Sequence, residues 1–191
     1  MRTSRASAAA AALAVLGTLL IGAPTHARPL AVDDPAGDRS GRGLDITRAV
    51  LKNRDHRLLG RVRFTREVRG DVVVSVDPRG ASGLRLVNEH RPAAEDRNWV
   101  AAGAFSDITG GVEDGSGGSG ASAAPGEVPC KGFRVRWSSR RPVVVLSLPS
   151  RCLHDGDYGA VRFAVLTERA SGDSDYAPGN RRRVTGWIPR G

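Results

Sequence analysis

Between residues 133 and 148 apolar side chains recur at every second position, and this alternation constrains the fold more than any other feature of the chain. Phe133, Val135 and Trp137 alternate with Arg134 and Arg136, and after Ser138-Ser139-Arg140-Arg141 comes the apolar run 143–148. A period of two places successive side chains on opposite faces of a strand. A hairpin turning about Arg140-Arg141 would set Trp137 opposite Val144, Val135 opposite Leu146 and Phe133 opposite Leu148. Every apolar residue then has an apolar cross-strand partner. The same register brings Cys130 and Cys152 together at the open end, and the chain has only these 2 cysteines. In an oxidising compartment they are expected to pair and clamp the base of the hairpin.

Other short runs share this pattern. In 58–65, Leu58, Gly60, Val62 and Phe64 fall on one face while Arg61 and Arg63 fall on the other. The runs 71–77 and 160–168 alternate through Val72, Val74 and Val76, and through Val161, Phe163 and Val165. Weaker strands are expected over 44–51 and 84–89, and a helical turn over 93–97. The stretch 110–126 is almost all Gly, Ser and Ala, too apolar-poor to offset its ordering entropy, and reads as a surface loop. No helical period of useful length follows the first residues. The expected fold is all-β: an antiparallel two-sheet sandwich, jelly-roll-like, of seven to eight strands with one disulfide.

The first 27 residues read as a signal peptide. Arg2 and Arg5 precede an apolar run over 8–21, Gly22 and Pro24 break it, and Thr25-His26-Ala27 offers small residues for cleavage after Ala27. The run is short of the roughly 20 residues that span a bilayer. Secretion of a single monomeric domain, 28–191, is expected. The full chain carries a formal net charge of +9, from 29 Lys and Arg against 20 Asp and Glu. GC-rich coding is enough to favour Arg broadly, but an excess of this size also suits an anionic partner.

Two groups of side chains are candidates for binding. The first is acidic: Asp33, Asp34, Asp38 and Asp45 lie in DDPAGDRSGRGLDIT, and Asp173 and Asp175 in GDSDYAP. Carboxylates on Gly-rich turns suit calcium, which takes six to eight oxygens, although Asp and Gly also simply make turns. The opening DPAGD, followed by LDIT and an alternating strand, resembles the start of family 9 carbohydrate-binding modules and DOMON-type domains. That resemblance covers about 30 residues. It implies a structural calcium held by Asp38 and flanking acids, and a sheet surface that binds sugars or a cofactor. The chain is also similar to uncharacterised secreted β-sandwich proteins of high-GC bacteria. Heme is not expected, because 28–191 lacks Met and offers only His56, His90 and His154 as axial ligands.

The second group is cationic. Arg61, Arg63, Arg134, Arg136 and Arg162 point away from the apolar sets of their own strands, and would make a basic patch if those strands were neighbours. Trp99 is the leading aromatic candidate for a ligand platform. No nucleophile elbow, metalloprotease helix or phosphate loop is present, so no catalytic residue is assigned and a non-enzyme is expected. Two functions follow as expectations: a secreted carbohydrate- or ligand-binding module with structural calcium, or a basic protein docking its arginine face on anionic envelope polymers or an acidic partner protein. Nucleic acid is not an expected partner, because no aromatic-basic motif of a known reader is present.

Overall fold

The predicted hairpin forms in the predicted register. In the computed structural model, which describes residues 28–66, 69–104, 126–169, 172–179 and 183–191, Trp137 pairs with Val144 and Val135 with Leu146. The Cys130–Cys152 disulfide closes its base. The expected signal peptide at 1–27 and all but Gly126 of the 110–126 stretch lie outside the described residues.

Among the described residues, ten strands make two antiparallel sheets of five. They are β1 (Leu30–Asp33), β2 (Ile46–Arg54), β3 (Arg57–Phe64), β4 (Asp71–Pro78) and β5 (Leu84–Glu89). The others are β6 (Arg97–Ala102), β7 (Arg134–Trp137), β8 (Val143–Pro149), β9 (Val161–Glu168) and β10 (Ser174–Ala177). One sheet runs β1-β2-β3-β8-β7 and the other β10-β9-β4-β5-β6. The strands beyond the expected seven to eight include β1 and β10, four-residue edge strands too short to show a period. The first long strand covers 46–54 rather than 44–51. In place of a helical turn at 93–97, the Ala94 N–H donates to the Arg91 carbonyl in a tight turn, and Arg97 opens β6.

The apolar faces of both sheets meet in one core. Leu51, Leu58, Val62, Leu146 and Leu148 from the first sheet pack with Val72, Val74, Leu86, Phe163 and Val165 from the second. A Cβ at Gly60 would meet Leu146 and Leu51 at 3.8 and 3.9 Å, ordinary van der Waals contact. Phe64 stacks on Trp137 with ring centroids 5.5 Å apart. Asn53, buried in β2, donates to the Gly159 and Ile188 carbonyls and so ties the C-terminal segment to the core. Among the described residues no helix is long and apolar enough to cross a membrane.

Candidate functional sites: an acidic joint, a polar cleft and a cationic face

Three of the six predicted acids meet. One carboxylate oxygen from each of Asp34, Asp38 and Asp175 lies within 4.8 Å of the others. Asp34 follows β1, Asp38 sits on the turn beyond it, and Asp175 comes from β10, so the joint closes one edge of the sandwich across the chain's two ends. Asp175 accepts the backbone N–H groups of Ile46 at 2.6 Å and Tyr176 at 2.8 Å. Asp34 Oδ1 accepts the Gly179 N–H at 3.0 Å. Its Oδ2 is buried with no hydrogen-bond partner, on a residue only 7% exposed. A buried carboxylate oxygen left unmatched costs free energy unless a proton or cation satisfies it.

Burial drives the Asp34 carboxyl up to about 6, with the Asp38 and Asp45 charges adding to the rise. Burial likewise raises Asp175 to about 6, and Asp34 and Asp38 add to it. The residues therefore fit a hard cation: three carboxylates, one with an unused buried oxygen.

The other three predicted acids do different work. Asp45 caps the turn by accepting the Gly37 N–H and pairs with Arg39 at 2.9 Å. Asp173 accepts the Arg42 N–H at 3.0 Å, over a Gly41 whose φ of +61° and closeness to that carboxylate exclude a side chain. Exposed Asp33 pairs with Arg48 on the outside of the first sheet. Sequence proximity grouped these acids, but strand alternation sends Asp33 and Asp34 to opposite sides.

The predicted arginine patch is divided. Arg61, Arg63, Arg134 and Arg136 share the outer face of the first sheet, joined through β8. Arg162 is on β9 in the other sheet, where it pairs with Asp77 and lies 5.0 Å from the Trp187 ring centre. Periodicity alone cannot say which sheet a strand joins, and that corrects the grouping. Trp99 lies on the outer face of the second sheet, its indole N–H on Glu89 at 3.0 Å and the Arg97 guanidinium 5.1 Å from its ring.

A site absent from the sequence reading opens where the sheets part below β7. A cleft of about 480 Å³ has Val135 and Trp137 on one wall and Asn88, Asn98, Glu95 and Asp96 on the other, with Arg69 at its rim. Buried Asn88 bridges the sheets: its Oδ1 accepts the Trp137 indole N–H and its Nδ2 donates to Asn98 Oδ1, both at 2.9 Å. Burial opposes the charge on Asp96, but hydrogen bonds from His90 and the Arg91 N–H hold its carboxyl below the usual range. The available signal was two asparagines at inward strand positions, where Asn is depleted. Compared with protein-family models, curated proteins and solved structures, the chain matches none.

Proposed function

We propose that this chain is a non-catalytic extracellular binding domain that takes a neutral sugar unit of a glycan in the cleft below β7, with a calcium ion bracing the acidic joint. The cleft carries the reading. Its volume falls in the range of small-molecule sites, which combine apolar walls with a few placed polar groups. Sugar hydroxyls both donate and accept, and amides and carboxylates complement them. A ring such as that of Trp137 can cover the C–H face of a pyranose. Asn98 is exposed, and Asp96 is held ionised as an acceptor.

The calcium brace rests on the unpartnered Asp34 oxygen beside Asp38 and Asp175. The opening that resembles family 9 carbohydrate-binding modules points the same way. Extracellular placement is supported by the leader-like first 27 residues and by the disulfide.

Titration calorimetry with a panel of neutral oligosaccharides tests the cleft. Asn98→Ala should weaken binding about tenfold, the loss of one to two hydrogen bonds. Because it also removes the acceptor of buried Asn88 Nδ2, it should lower the melting temperature by a few degrees, so binding is compared well below both melts. Equal binding by wild type and variant would remove the cleft from the account.

A further inference from the structure

The outer face of the β1-β2-β3-β8-β7 sheet carries a charge pattern that the cleft does not explain. Strand register places Arg48 opposite Arg63 and Arg54 opposite Arg57. In the rows between them, Arg61 and Arg136 flank Val145, while Lys52 and Arg134 flank Leu59 and Ser147. All eight cations point outward, against the single acid Asp33, which is bound to Arg48. Among the described residues the other seven have no ion-pair partner. Like charges directly opposite on neighbouring strands destabilise a sheet. This face therefore gives up stability, a pattern expected where a surface serves binding.

We propose that this face docks a linear acidic polysaccharide carrying a carboxylate or sulfate on each repeat. Along a strand neighbouring cations are roughly 6.6 or 13 Å apart, and across strands about 4.8 Å in the two directly paired rows and about two to three times that in the rows between. Long Arg stems can therefore bring a guanidinium to each oxyanion of a chain laid over the sheet, with fork geometry suited to carboxylate and sulfate. The outward positions hold no Phe, Tyr or Trp on which a base would stack, which disfavours single-stranded nucleic acid. The only large exposed apolar side chain among the described residues, Trp187 at 39%, comes from the C-terminal segment beside the other sheet, which disfavours insertion into lipid.

This surface is separate from the cleft, since Arg134 and Arg136 leave β7 on the side opposite Val135 and Trp137. The two readings fail separately: polyanion binding depends on salt and ignores Asn98→Ala, while cleft binding does the reverse.

The test is binding of the purified, oxidised protein to immobilised polygalacturonate and dextran sulfate, with neutral dextran as control. Affinity for at least one polyanion should fall steeply from about 50 to about 500 mM salt. The double variant Arg61→Glu/Arg136→Glu should bind at least tenfold more weakly, while Arg79→Glu, beside the other sheet, stays within about twofold. The two polyanions separate carboxylate from sulfate recognition. Equal loss in both variants would reduce the effect to net charge and overturn the proposal. So would equal binding to dextran, or tighter binding to single-stranded DNA or anionic vesicles. Retained melting temperatures show that the variants are folded.

Discussion

Asp34 shows how one atom can organise a site. Its Oδ1 is held by the Gly179 N–H, and its buried Oδ2 costs free energy that a proton or a cation would offset. The sign of the pH response follows. Asp34 and Asp175 titrate near 6 in the folded protein, above the ordinary value of 3.8, so the native state holds these protons more tightly than the unfolded chain. In chelator their contribution to stability should be complete below about pH 4 and lost as pH rises through 6. Under the proposed calcium brace, calcium would compete with those protons and should flatten the loss. At neutral pH, calcium at ten times its dissociation constant should add about 1.4 kcal/mol, a rise of a few degrees in melting temperature. Asp38→Asn should abolish that rise. Melts across pH in chelator and in calcium check both statements, and a slope of the opposite sign in chelator would contradict them.

At the scale of elements, the β7–β8 hairpin was legible because its information is local. Two alternating runs, one turn and two cysteines fix one register, and the structure adopts it. Breaking the disulfide with Cys130→Ser/Cys152→Ser should cost roughly 3 kcal/mol, as expected for a loop of 22 residues. Denaturant melts would show it as a lower midpoint with the sheet spectrum retained. A loss below about 1 kcal/mol would mean that β7 is held by Trp137 and its contacts instead. What could not be read locally were pairings between distant segments. β3 meets β8 across some 90 residues, so the joining of Arg61 and Arg136 into one face is invisible to periodicity. β1 and β10 are too short to announce themselves, and the meeting of Asp34 with Asp175 depends on both. Asn88 and Trp137 likewise meet only because the two sheets stack.

At the scale of the molecule, these features occupy different sides of one sandwich. The acidic joint closes the edge near β1 and β10, the cleft lies under the opposite edge strand β7, and the cations cover the outer face between them. On the proposed reading, a neutral sugar and a polyanion would bind without competing. The claim on which the proposed function stands is that the cleft below β7 is a ligand site. The most direct measurement is a nitrogen–proton correlation spectrum of the labelled, oxidised protein, titrated with neutral oligosaccharides. The chain has 3 tryptophans, so three indole N–H signals report on three separate places. Sugar binding in the cleft should shift the Trp137 indole and the Asn88 and Asn98 side-chain amides, leaving Trp99 and Trp187 in place. Shifts confined to Trp99 or Trp187, or none at any oligosaccharide, would contradict it.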